Sequence, residues 1–218
     1  MRHGSLRFSF RRLAGGLMLL AGVACGPAGL LGLSGCATSG YDHLVTADRH
    51  DIHRVESYLN GLTSLQASFV QDGPAQQQGD GRFTYVPGRF EMVYEVPHAM
   101  RAVARDGRLV LRSADSGAVT HLSLRRNPLG LLLRHPIGFD RDVQVTKVSR
   151  GAESLQISVA EADNPSQGLL TLQFSDVHGR LTLVGIQGVD ARHHHFGLSL
   201  FDVQENQPVS ESSFILPE

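Results

Sequence analysis

The 218-residue chain contains no tryptophan, two cysteines and, outside one stretch near its start, no long apolar run. Each shortage closes off a class of protein. Cys25 and Cys36 both precede the main body of the chain, so neither a zinc ribbon nor a thiol redox pair can be built there. Cleavage at Cys36 would leave at most one cysteine, and no intrachain disulfide would then support the fold. Basic charge is also scarce. From Cys36 onward the chain carries 16 Lys and Arg against 21 Asp and Glu, a formal charge of −5. Such a surface does not invite nucleic acid or anionic lipid. No glycine-rich phosphate loop is present, and Ser34, Ser113 and Ser123 stand in no nucleophile-elbow context. No catalytic residue is assigned, and no cofactor or metal is expected.

The N-terminus is more informative. Arg2, Arg7, Arg11 and Arg12, without an acid among them, precede a stretch from Leu13 to Leu33 built almost wholly of Leu, Gly, Ala, Val and Met. A basic region followed by an apolar one reads as an export signal. The stretch also reaches the roughly 20 residues of a membrane span, but its glycines and Pro27 make a poor permanent helix. Leu33, Ser34, Gly35 and Cys36 resemble the bacterial lipobox, in which the cysteine receives a diacylglyceryl thioether and becomes the mature N-terminus. The same small residues suit plain signal cleavage, after which Cys36 would be lost. Gly22 to Cys25 form a poorer second match, and Arg11-Arg12 lacks most of the twin-arginine pattern. The expected organisation is a signal peptide over 1–35, a tether over 36–47 and one domain over 48–218. The protein is expected in the periplasm, held at the outer membrane through a lipidated Cys36 or soluble without that modification. Ala37, in place of aspartate, fits outer-membrane passage in the enteric sorting pattern.

The 183 residues from Cys36 onward suffice for one domain with a real core. Ile52, Val55, Leu59 and Leu62 predict an amphipathic helix over 48–62. Nearly everything after it alternates. "LQASF" places Leu65, Ala67 and Phe69 on one strand face, and "FEMVYEV" places Phe90, Met92, Tyr94 and Val96 on one face with Glu91 and Glu95 on the other. Further short runs follow, separated by turn signals such as Pro87-Gly88, Asp106-Gly107 and His178-Gly179. Regular short strands imply one large antiparallel sheet that must curl, split or be covered. "NPLGLLLRHP" is a candidate cover, because Asn127 and Pro128 start a helix well and Leu129 with Leu131 to Leu133 make it apolar nearly all round. Periodicity leaves open whether such a cover packs a solid core or closes a cavity for an apolar ligand.

A resemblance bears on that choice. "SLQASFVQ" at 64–71, "GDGRFTYVPGRFEMVYEVP" at 79–97, "DGRLVL" at 106–111 and "SFILP" at 213–217 resemble, in order, the periplasmic outer-membrane lipoprotein carrier family LolA. The most specific piece is Pro-Gly-Arg-Phe with Tyr94 four residues and Pro97 seven residues after Phe90. The resemblance implies a mainly β, α+β fold: an incomplete antiparallel barrel of about ten or eleven strands, with an N-terminal helix and a short apolar helix over its concave face. It implies a monomer that is not an enzyme and that accepts acyl chains of lipoproteins in an apolar cavity. Its partners would be an inner-membrane lipoprotein-releasing transporter or an outer-membrane receptor of the same fold. The residues expected to line the cavity are Phe69, Phe83, Tyr85, Val86, Phe90, Met92, Tyr94, Leu109 and Leu111, with Leu131, Leu132 and Leu133 as lid.

Two positions depart from the family pattern. Val86 stands where the family usually has an arginine that tethers the lid in the empty form. An apolar residue there is expected to populate the open state more, which suits a terminal acceptor. Met92 stands where tryptophan is common, and methionine tolerates ligands of varied shape. Two alternatives are weighed against this reading. The same fold also suits a carrier or sensor of another lipid or glycolipid. "DARHHHF" would give a metal-dependent envelope enzyme if His193 and His195 shared a strand face near Asp190, although adjacent histidines before a strand also read as a solvated turn.

Overall fold

The computed structural model describes residues 44–73, 78–125, 127–140, 142–190 and 193–218. Cys36, the expected signal peptide and most of the expected tether lie outside the described residues. No described helix is long and apolar enough to cross a membrane.

Helix α1 runs over Thr46–Gly61. Its apolar residues recur on one stripe, so Ile52, Val55 and Leu59 are buried together, and Leu62 closes the stripe at the extended C-cap. Asp48 in the first turn complements the positive end of the helix. Six strands follow as a meander: β1 (Leu65–Asp72), β2 (Gly79–Val86), β3 (Arg89–Val96), β4 (Met100–Arg105), β5 (Arg108–Ser113) and β6 (Val119–Ser123). A second meander comprises β7 (Val143–Arg150), β8 (Ser154–Glu161), β9 (Gly168–Val177), β10 (Arg180–Asp190) and β11 (His195–Glu205). Antiparallel pairing of β1 with β11 fuses the two into one sheet of 11 strands, ordered β6-β5-β4-β3-β2-β1-β11-β10-β9-β8-β7. Strands β6 and β7 are edges, so the barrel is not closed. Two hairpins turn through pairs of positive-φ residues, Asp106-Gly107 (53° and 71°) and His178-Gly179 (53° and 81°). Such turns match the twist of the strands they join.

Register turns the alternation of the sequence into a continuous apolar face. Leu65, Tyr85, Phe90, Ala104, Leu109 and Leu122 align as one row across β1 to β6, and Ala67, Phe83, Met92, Ala102 and Leu111 as the next. In the other half Leu198, Ile186, Leu172, Ile157 and Val148 make a similar row.

Because β6 and β7 lie at opposite edges, the segment joining them, residues 124–142, crosses the sheet. It holds a 3-10 helix over Pro128–Leu133, started by Pro128 and by Asn127, whose side chain accepts a hydrogen bond from Leu129 N at 2.9 Å. This helix touches β3 on one side and β9 and β10 on the other. In a flat sheet β10 and β9 would lie about 19 and 24 Å from β3, at about 4.8 Å per strand. A 3-10 helix of this length spans only about 12 Å. The sheet is therefore curled around the crossing strap, which covers its concave face.

The convex face carries a second, smaller apolar patch. Val103 and Val110 are covered there by Phe214 from a C-terminal turn, Glu211–Phe214, that packs on β3 and β4. Arg101 donates to the carbonyls of Ser212 and Ser213 at 3.2 and 3.0 Å, and the Arg89 guanidinium lies 4.8 Å from the centre of the Phe214 ring.

Candidate functional site

The structure brings 11 of the 12 apolar residues named from sequence into one connected cluster. Phe69, Phe83, Tyr85, Phe90, Met92, Leu131 and Leu132 are buried, and Tyr94, Leu109, Leu111 and Leu133 are half-buried against them. Burial is graded: Phe83 is 2% exposed, whereas Leu122, two strands beyond Ala104 in its own row, is 48% exposed. The apolar face thus runs from beneath the strap to an open edge at β5 and β6. Small residues shape it. Ala102 and Ala104 stand beside Met92 and Phe90, and Gly81 lies between Phe69 and Tyr94 in their row, letting those rings meet edge-on at 5.0 Å. A side chain at Gly81 would collide with the Val93 carbonyl.

Val86 is the exception among the 12. It pairs with Arg89 at the end of the β2–β3 hairpin and is half-buried outside the cluster. One step along a strand reverses the face, so with Tyr85 turned to the concave side Val86 turns away. The expectation that Val86 lines the hollow fails for that reason.

The concave face is filled by the protein's own side chains in this conformation, Leu131 and Leu132 of the strap among them. Hydrogen bonds holding the strap run to α1, to β8 and, at its first residue, from Leu124 N to the Gly107 carbonyl between β4 and β5 at 2.8 Å. Asn60 donates to the Ile137 carbonyl and accepts from Ile137 N, both at 2.8 Å, and Glu56 accepts from Phe139 N at 2.7 Å. Arg134 donates to Glu161 at 3.4 Å. At the opposite side the strap meets the hairpin by close approach: a Cβ at Gly88, which has φ +85°, would lie 3.8 Å from the Leu133 carbonyl oxygen. Asn60 and Glu56 were not legible in the sequence, because polar residues flanking an apolar stripe read as a solvated helix face.

Three tyrosines are described, and their hydroxyls differ. Tyr58 donates to Glu205 at 2.6 Å and accepts from Leu183 N at 3.0 Å, and Tyr94 donates to Gln71 at 2.5 Å. The Tyr85 hydroxyl is buried with no hydrogen-bond partner. Burial pushes the phenols of Tyr85 and Tyr94 up to about 12. An unsatisfied buried donor costs about 1–3 kcal/mol, so the closed conformation carries a defect at Tyr85 that a phenylalanine would not create.

Electrostatics fix α1 beside this face. Arg54 donates to both carboxylate oxygens of Asp176 on β9, at 2.9 and 2.7 Å, and to Asp51 at 2.9 Å. Arg150 on β7 donates to Asp51 at 2.5 Å and Asp48 at 2.8 Å. The hydrogen bond from Arg54 holds the Asp176 carboxyl below its usual range, and the same contact raises Arg54.

The histidine run does not form the arrangement considered from sequence. His193 lies in a turn at φ +63°, with only His195 opening β11. The Asp190 carboxylate accepts from His194 N at 2.9 Å and lies 3.1 Å from His194 Nδ1. Among the described residues no group of three metal-ligating side chains is gathered anywhere. Two open depressions, about 460 Å³ beside His50, Arg54, Tyr58 and Leu181 and about 690 Å³ beside Leu169, Val189, His193 to His195 and Phe196, have walls that mix apolar with polar side chains and reach the margin of the apolar cluster.

A curled, unclosed antiparallel sheet whose apolar face is covered by a helix and a crossing strap defines a class of covered half-barrel. The chain belongs to the LolA family: residues 60–216 match the family described as outer membrane lipoprotein carrier protein LolA. No curated protein matches the chain. Among solved structures, an uncharacterized conserved protein from Thermus thermophilus is similar over 77% of this chain and 92% of its own, with 10% identity and a TM-score of 0.44. A LolA superfamily protein from Nitrosomonas europaea is similar over 78% and 98%, with 13% identity and a TM-score of 0.41. The Mycobacterium tuberculosis lipoprotein LppX is similar over 72% and 96%, with 11% identity and a TM-score of 0.37.

Proposed function

We propose that this protein binds acyl chains of lipoproteins on the apolar face beneath the strap and takes part in their transport to, or insertion into, the outer membrane. In this reading Cys36 is lipidated and anchors the domain at that membrane as an acceptor, and the role is non-enzymatic. The observation that carries the proposal is the continuity of the face. Its apolar rows run without a polar interruption from buried Phe83 and Phe90 to half-buried Leu109 and Leu111, one strand in from the unclosed edge at β6. Membership of a carrier family supports the same reading.

Magnitudes favour an openable cover. Burying a methylene contributes about 0.8 kcal/mol, so a chain of about 16 carbons gains up to ~12 kcal/mol relative to water, against roughly 3–6 kcal/mol for re-exposing two buried leucines. A chain already shielded by a membrane or another carrier forgoes most of that gain. Lifting the strap then decides the direction of transfer.

Leu111→Asp tests the proposal, since Leu111 is half-buried near the open edge and a charge there is tolerable in the folded protein. Titration with a diacylated lipopeptide is expected to show binding weakened at least about tenfold with the circular dichroism spectrum unchanged. Unchanged affinity would overturn the assignment of this face, and preferential binding of phospholipid over lipopeptide would reassign the cargo.

A further inference from the structure

The Tyr85 hydroxyl is the one polar group on the concave face, among the described residues, that the closed structure leaves without use. Its row neighbours are Leu65 and Phe90, and the next aromatic residue on its own strand, Phe83, packs against Phe90 at 5.9 Å without a hydroxyl. Packing alone therefore requires a ring at position 85 and not a phenol. The residue is 5% exposed, so water does not satisfy the group, and Tyr58 and Tyr94 show that this fold otherwise provides partners for buried phenols. A donor left unsatisfied in one conformation is explained when a second conformation supplies its acceptor.

An acyl chain brings one such acceptor to an apolar wall, the carbonyl oxygen where the chain joins its glycerol or amine. We propose that, once the strap lifts, the Tyr85 hydroxyl donates a hydrogen bond to the carbonyl of an ester- or amide-linked acyl chain and so fixes how deeply the chain enters. This inference rests on the lipid-binding reading above. Tyr85 is suitably placed. It lies two residues from Pro87 at the hairpin that the strap abuts, and its row leads through Ala104 to half-buried Leu109 and exposed Leu122. The carbonyl is shared by the diacylglyceryl group of a lipoprotein and by a phospholipid, so the contact selects for linkage and not for head group.

Tyr85→Phe is the test, read with an ester-linked diacylglyceryl lipopeptide, its ether-linked analogue of equal chain length, and the corresponding ester and ether phospholipids. The unsubstituted protein is expected to bind the ester form about three- to tenfold more tightly than the ether form, and the variant to bind both alike. The melting temperature of the ligand-free variant is expected to equal or exceed that of the parent, because the deleted hydroxyl has no partner there. An ester preference with the lipopeptide assigns the contact to lipoprotein, and one with the phospholipid alone assigns it to membrane lipid; either supports the inference. Absence of an ester preference in the parent, its survival in Tyr85→Phe, or a lowered melting temperature overturns it. Should the parent bind none of the four lipids, the lipid-binding reading itself falls, a result distinguishable from equal binding of ester and ether forms.

Discussion

Asp176 and Arg54 show how much of the geometry around the apolar face depends on single charged groups. The pair is largely shielded, with side chains 21% and 23% exposed, and its two parallel hydrogen bonds fix the orientation of α1 on β9. The Asp176 carboxyl titrates below its ordinary range in the folded protein. A lowered folded-state value means that the contribution to stability is fully present above the unfolded value of about 3.9 and is lost as the pH falls through the folded value. Asp176→Asn is accordingly expected to destabilise the protein by about 1–2 kcal/mol at neutral pH. Thermal melts as a function of pH should show the difference from the parent closing below about pH 4. A difference that persists undiminished in acid would mean that shape, and not charge, makes the contact. Residue parity was legible in the sequence for nearly every strand; the partners of charged residues were not, because Arg54 and Asp176 are joined by the fold across 122 positions.

At the scale of elements, the strap is the part whose behaviour matters most. It is covalently continuous with both edge strands, pinned to α1 by Asn60 and Glu56, and merely abuts the β2–β3 hairpin. The hydrogen bonds to α1 therefore hold the strap down over the sheet. Asn60→Ala removes both hydrogen bonds to Ile137 and is expected to destabilise the closed form by about 1–2 kcal/mol. Where the closed form dominates, that shift raises the apparent affinity for a diacylated lipopeptide roughly five- to thirtyfold, and the melting temperature of the empty protein falls. Weaker lipid binding in Asn60→Ala would show instead that the pinned strap forms part of the binding surface. The strap's own helix was readable from Asn127, Pro128 and the leucines after them. What it covers was not, since an all-round apolar segment fits a solid core and a lid equally well. Val86 teaches the complementary lesson. A residue placed at the lid by analogy turns to the other face because strand alternation is strict.

For the molecule as a whole, the mainly β fold followed from short alternating runs and tight turns, and its unclosed form from the resemblance of four sequence blocks to one family. The pairing of β1 with β11, which sets the strand order and sends the strap across the face, carries no local signal because it joins segments about 130 residues apart in sequence. Attachment is a matter for the N-terminus. If Cys36 anchors the protein, intact mass spectrometry of material extracted from native membranes should find a chain beginning at Cys36 with a diacylglyceryl group, and Cys36→Ala should abolish it. An unmodified chain starting beyond Cys36 in the soluble periplasmic fraction would make the domain a shuttle.

The central claim, that acyl chains enter the face beneath the strap, is open to a direct measurement because the chain has no tryptophan of its own. Met92 is buried between Phe83 and the small Ala102, so Met92→Trp installs a single fluorophore in the middle of the apolar face. Titration with a lipopeptide whose acyl chains carry bromine should quench that emission saturably, while the deacylated peptide leaves it unchanged. Emission indifferent to the brominated chains, in a variant that still captures the lipopeptide, would place the chains elsewhere and contradict the account.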